Sequence, residues 1–130
     1  MLWYQLAENP HVITELYQTV PPLEAIDVMG IVFYEDAKMI VDANLPRFPD
    51  RPPSRWVEVG YNTIHILLEF DGIEAVQITQ WSIENLVDLH IEAMAEGQIF
   101  VRATSPQCHF QAQARFFRIA DVRAYLREIS

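Results

Sequence analysis

Apolar and polar residues alternate along much of this chain, and a period of two is the pattern of a β-strand with one buried face. The clearest run is residues 108–116, in which every even position is apolar and every odd position is polar. Comparable runs cover Ile26–Tyr34, Lys38–Leu45, Asn62–Phe70, Ile73–Gln80, Val87–Ala93 and Ile99–Thr104. The pattern predicts about seven antiparallel strands joined by short turns.

Helical spacing is found near the two ends of the chain. Asn9-Pro10 is a favourable helix start, and the apolar residues that follow at helical spacing are Val12, Ile13, Leu16 and Tyr17. A closing helix is predicted from the apolar positions Ile119, Val122, Leu126 and Ile129. The predicted fold class is therefore α+β, with an antiparallel sheet of about seven strands and N-terminal and C-terminal helices packed on one face.

Asp71-Gly72 has the composition of a two-residue hairpin turn, because such a turn requires a positive φ angle. The strand after it is expected to return antiparallel to the strand before it. In that arrangement Val76 and Ile78 point inward.

Residues 45–56 are rich in proline, which favours an ordered loop without regular hydrogen bonding. Phe48 and Trp56 are expected to hold this loop against the core. Its arginines, which include Arg47 and Arg51, suggest nucleic-acid binding, but the acidity of the rest of the chain argues against it.

The 130 residues fit a single domain spanning positions 1–130, and the net charge is −9. Acidic residues outnumber basic ones sixteen to four in residues 1–96, whereas residues 97–130 hold five arginines and two acids. This distribution favours a basic partner. No leader or membrane-spanning run is evident, so a cytoplasmic location is expected, and the lone cysteine, Cys108, is expected to be a buried thiol.

The polar face of the predicted sheet carries His65, His90 and His109, whose imidazoles together with nearby carboxylates suit a metal ion or a small molecule. The three histidines form no local motif, so this binding function is the alternative hypothesis. Nucleophile and phosphate-binding motifs are absent from the sequence. We therefore expect a protein that is not an enzyme and that has no cofactor.

A set of aromatic, proline and glycine residues resembles the immunity protein 50 family of bacterial polymorphic toxin systems along essentially the whole chain. The residues that carry the resemblance are Trp3-Tyr4, Asn9-Pro10, Pro22-Leu23-Glu24, residues 45–49, residues 52–56, Gly60-Tyr61-Asn62, Gly72-Ile73 and Trp81. The resemblance implies a small cytoplasmic antidote that binds and occludes a cognate toxin encoded beside it. If that toxin is a nuclease, its basic cleft would accept the acidic surface in place of phosphates.

The residues expected to contact the toxin lie on the open sheet face, in the proline-rich loop or beside that loop. They are Glu58, Glu69, Asp88, Glu92, Arg47 and Arg51. A homodimer is the third hypothesis, because apolar residues such as Leu67 and Phe100 are expected on the same open face.

Overall fold

The computed structural model describes residues 2–128 and is built mainly from β-strands. The eight strands are β1 (Ile26–Tyr34), β2 (Lys38–Asn44), β3 (Thr63–Asp71), β4 (Ala75–Gln80), β5 (Leu86–Ala93), β6 (Ile99–Thr104), β7 (His109–Ala114) and β8 (Phe116–Tyr125). Helical structure in this described range is limited to α1 (His11–Thr14), α2 (Ser54–Val59) and 3-10 turns at Trp3–Leu6 and Ala95–Gly97. The expected α+β class is therefore wrong, and the fold is essentially all β.

The strands form one antiparallel sheet in the order β4-β7-β6-β5-β1-β2-β3-β8. The sheet has two halves, which we call the first half-sheet (β1, β2, β3, β8) and the second half-sheet (β4, β5, β6, β7). Among the residues that the structure describes, two strand pairs, Ile26 with Val87 and Asp27 with Leu86, join the halves through β1 and β5. Buried side chains of both halves belong to a single hydrophobic cluster, so the sheet curves around a shared core.

The two edge strands of the sheet are β4 and β8. Each follows in the chain a strand of the other half-sheet. β3 leads into β4 through residues 72–74, and β7 leads into β8 through Arg115 alone. Because β3 pairs with β8 and β4 pairs with β7, these four strands form one long ribbon that bends from one half-sheet into the other. The expected hairpin at Asp71-Gly72 is therefore wrong, since β3 and β4 do not pair with each other.

The bend of this ribbon is held by contacts between its two sides. Gly72 has a φ of +68°, and a Cβ atom there would lie 3.1 Å from the Cβ of Arg115. The Arg115 main-chain N–H donates to the Asp71 carbonyl oxygen (2.9 Å), and its guanidinium Nε lies 2.7 Å from Glu74 Oε1. The positive φ expected from the sequence is present, but it bends the ribbon instead of reversing the chain.

The expected C-terminal helix is a strand, and a β-bulge explains the misleading spacing. Leu67 pairs with Asp121 and Leu68 pairs with Ile119, so Ala120 is an extra residue in β8. The bulge places Ile119 and Val122 on the same face although they are three residues apart, which is also the spacing of a helix. Leu126 is exposed, and Ile129 lies outside the described residues.

The expected N-terminal helix is reduced to the single turn of α1, although Ile13 of this turn is fully buried in the core. Asn9 does not cap it. Instead, the Asn9 side-chain amide donates to the Ile119 carbonyl oxygen (2.8 Å) and accepts from the Ile119 N–H (2.9 Å). Glu8 N–H also donates to the Phe117 carbonyl oxygen (2.9 Å), so this segment occupies the free edge of β8.

The proline-rich loop is ordered, although its last residues form the short helix α2 after Pro53. Phe48 and Trp56 contact each other, with ring centroids 6.3 Å apart, and both pack against the core as expected. The Tyr17 hydroxyl donates to the Arg47 carbonyl oxygen (2.6 Å), and burial raises the pKa of Tyr17. The loop is therefore attached to the N-terminal segment.

No helix within residues 2–128 has the length and apolar character that crossing a bilayer requires.

Candidate partner-binding surfaces

The outer face of the second half-sheet is polar, because strand alternation sends the apolar side chains of β5, β6 and β7 into the core. The strand register places its side chains in transverse rows. These rows are Glu92-Phe100-Gln113-Ala75, His90-Arg102-Gln111-Gln77 and Asp88-Thr104-His109-Gln80. The face is mostly uncharged toward β4 and acidic along β5.

Asp88 and Glu92 are exposed on this acidic side, four residues apart on β5. Asp88 also has an internal role, because its Oδ1 accepts a hydrogen bond from the Ala25 N–H (2.9 Å). Glu92 accepts no hydrogen bond from a side chain or main-chain group within residues 2–128. Both carboxylates can therefore face a basic partner, but they differ in how freely they can be replaced.

Glu69 lies on the first half-sheet and is buried, with 8 % of its surface exposed. Its Oε2 lies 3.4 Å from the Arg118 guanidinium. The neighbouring Asp71 has its pKa raised to about 6 by partial burial, by a hydrogen bond to Glu69 and by the Glu69 charge. The carboxylates of Glu69 and Asp71 therefore interact within the chain, which leaves them less free to bind a partner.

Arg47 and Arg51 lie in the proline-rich loop and Glu58 lies in the helix α2 that follows, and all three are exposed. The Arg47 guanidinium donates to the Thr19 carbonyl oxygen and lies 5.4 Å from the Tyr17 ring centroid. Arg47 therefore helps to hold the proline-rich loop against the N-terminal segment. The six expected contact residues lie on three separate surfaces: the second half-sheet, the first half-sheet and the loop.

The three histidines of the alternative hypothesis are not brought together either. His65 is on β3 in the first half-sheet, whereas His90 and His109 lie on β5 and β7, with β6 between them. Within residues 2–128 no group of three or more histidine, cysteine, aspartate or glutamate side chains is placed to hold a metal ion.

His65 instead belongs to a polar network in the first half-sheet. Its Nδ1 donates to Asn44 Oδ1 (2.7 Å), and Asn44 Nδ2 donates to the Tyr125 hydroxyl (2.6 Å). Burial lowers the pKa of His65, although Asp42 Oδ1 lies 3.5 Å from its Nε2 and favours the charged ring. The hydrogen bonds of this network hold the His65 ring within the first half-sheet.

The free edge of β4 is a surface that the sequence interpretation missed. All six residues of β4 are exposed, including Val76 (41 %) and Ile78 (45 %), so the expected inward burial of these two is wrong. Both lie on the core side, opposite Ala112 and Phe110 of β7, but within the described residues they are only partly covered there. The signal available in the sequence was the uncharged run Ala75–Gln80.

The model of one protein family, immunity protein 50, matches residues 9–125 of the 130-residue chain. No curated protein and no solved structure matches the chain.

Proposed function

We propose, from the premise that the chain belongs to the immunity protein 50 family, that it neutralises one cognate bacterial toxin by binding it directly and covering its active site. The single observation that carries this proposal is the family match, which spans nearly the whole chain. Membership of an immunity protein family implies a protein toxin as partner and a role other than catalysis. We place the encounter in the cytoplasm of the cell that makes the toxin.

The charge distribution supports a basic toxin surface. The chain carries a net charge of −9, and its acidic excess lies in residues 1–96. Opposite net charges steer two proteins toward each other and raise their association rate. A nuclease fits this proposal well, because a cleft built for phosphates would attract carboxylates.

The first test is growth of bacteria that express the neighbouring open reading frame, with and without this chain. We expect the neighbour alone to stop growth and the chain to restore it. An unrelated protein of similar size and net charge is the control and should give no rescue. A harmless neighbour, or one that kills in the presence of the chain, would remove the proposed function.

We propose Asp88 and Glu92 as the acids that first meet the toxin, because both are exposed on one strand face. The double variant Asp88→Asn/Glu92→Gln removes two charges and leaves an oxygen at position 88 for the Ala25 N–H. We expect association with the toxin to slow by about tenfold while dissociation changes little. Stopped-flow mixing measures both rates.

The matched control is Glu15→Gln/Glu35→Gln, which changes the net charge equally at two exposed glutamates on other surfaces. Equal slowing by both double variants would show that only total charge matters. Glu58 and Arg51 remain in the proposed interface as a second, exposed group in and beside the loop. Glu69 and Arg47 are the members least free to bind a partner, since each is bound to another part of the chain.

A further inference from the structure

The two edges of the sheet differ in whether other parts of the chain form hydrogen bonds with them. The edge of β8 is occupied by Glu8 and Asn9, whose hydrogen bonds satisfy main-chain groups of Phe117 and Ile119. At β4, none of the main-chain hydrogen bonds within residues 2–128 involves the side facing away from β7. Alternate residues of an edge strand direct N–H and C=O groups outward, so β4 presents a free row of donors and acceptors.

The charges and prolines that protect many edge strands are missing from β4. Natural proteins block such edges with lysines, other charges, prolines or β-bulges, because a bare edge pairs with other strands. The sequence Ala75–Gln80 contains no charged residue and no proline, and its pairing with β7 is shifted only near its end, between Ile78 and Gln80. The four residues before this bulge span about 13 Å, which is enough to pair with a short strand of a partner.

Side chains on the two sides of β4 define what kind of strand fits. On the core side, Val76 and Ile78 are exposed. Phe110 is the β7 partner of Ile78, and its ring centroid lies 6.5 Å from that of Trp81, so Trp81 is near this side of the edge. On the outer side, Gln77 accepts a hydrogen bond from Gln111 (3.3 Å). A partner strand with apolar residues on one side and uncharged polar residues on the other matches this edge.

We propose that β4 is the docking edge for an extended segment of the cognate toxin, which adds to the second half-sheet as a ninth strand. This inference rests on the proposed function and names the surface that performs it. The net charge of −9 favours a basic protein over a second copy of this chain, because two copies would bring together equal negative charges. Main-chain pairing supplies the affinity, and the apolar contacts at Val76 and Ile78 select the sequence.

Amide hydrogen exchange followed by NMR tests the pairing directly. The chain is measured alone and in complex with the toxin encoded beside it. In the free protein, alternate amides of Ala75–Gln80 should exchange rapidly, and in the complex they should slow by about a hundredfold or more. Unchanged exchange in a stable complex would overturn the docking edge and leave the proposed function intact.

Two double variants separate strand pairing from general surface contact. Val76→Lys/Ile78→Lys places charges on the edge strand, and we expect it to weaken toxin binding by about a hundredfold. Ile83→Lys/Leu86→Lys adds the same charge at exposed residues outside β4, and it should change affinity by less than about fivefold. Equal losses from both would overturn the inference, and thermal unfolding checks that both variants fold.

The remaining outcomes are also decisive. Slowed exchange at β4 that appears on concentrating the chain without toxin would assign the edge to a second copy and overturn the proposed occupant. Failure of the toxin to bind at all would remove the proposed function together with this inference.

Discussion

Asp71 is a single residue of the first half-sheet that lies close to several other charged side chains. It shares the outer face of β3 with Glu69, two residues away, and Lys38 is its partner in β2. The attraction of Lys38 and Arg118 lowers its pKa, but partial burial and the contact with Glu69 raise it more, to about 6. At neutral pH the ionised Asp71 therefore reduces stability.

We expect Asp71→Asn to stabilise the protein at pH 7.5 and to have little effect at pH 4. A carboxyl whose pKa is higher in the folded than in the unfolded state contributes stability below its unfolded value of 3.8, and this contribution is lost as pH rises through about 6. The gain at pH 7.5 should stay below about 1 kcal/mol, because solvent screens this partly exposed group.

Urea denaturation at the two pH values measures this difference, and NMR titration of the Asp71 carboxyl should show a midpoint near pH 6. An equal effect of the substitution at both pH values would contradict the assignment.

The bent ribbon of β3-β4 and β7-β8 is the element that determines the shape of the sheet. Its bend depends on the close approach of Gly72 to Arg115 and on the ion pair between Arg115 and Glu74. The same bend ends the alternation of β7, so that Phe116 is exposed and Phe117 is buried against Phe70, with ring centroids 4.9 Å apart. One residue at the corner thus changes which side chains of the last strand enter the core.

We expect Gly72→Ala to destabilise the fold more than Gly97→Ala does. Both glycines have a positive φ, at +68° and +76°, and alanine at either position should cost about 1 kcal/mol or more of backbone strain. Only at Gly72 does the added Cβ meet another side chain, which should raise the cost by about 1–2 kcal/mol.

Urea midpoints of the two variants and the parent chain give the comparison. Equal midpoints for the two variants would show that the approach to Arg115 is relaxed without cost.

At the scale of the whole molecule, the dominant property is the acidic surface. Sixteen acids and four bases in residues 1–96 produce a negative field, while five of the nine basic residues lie in residues 97–130. Several of these arginines are paired within the chain, such as Arg118 with Glu69 and Arg127 with Asp27 (3.1 Å). The field that a partner meets is therefore mostly negative.

We expect association with the toxin to depend on salt. Raising ionic strength from about 20 to about 500 mM should slow association by about tenfold or more, because the Debye length shortens from roughly 20 Å to roughly 4 Å. Dissociation should change less, since the contacts at β4 are uncharged. Stopped-flow rates across this range test the expectation, and an association rate that does not change with salt would show that charge does not steer the encounter.

The alternation of apolar residues by itself determined strands β1 to β7, because side chains of a strand must point alternately to core and solvent whatever their neighbours are. Val41, Ile66 and Val101 are fully buried as their positions predict. Cys108 is a buried thiol, as expected, and burial raises its pKa. The family was also identifiable from the sequence, since the model of immunity protein 50 matches residues 9–125.

Only the tertiary structure decided which strands pair, because pairing depends on contacts between distant parts of the chain. The bulge at Ala120 gave β8 the spacing of a helix, and the pairing of β8 with β3 reveals it as a strand. The same pairing turned Asp71-Gly72 into a bend and left β4 at an uncovered edge. Local periodicity predicts which face of a strand is apolar, but full burial of Val76 and Ile78 required a cover that residues 2–128 provide only in part.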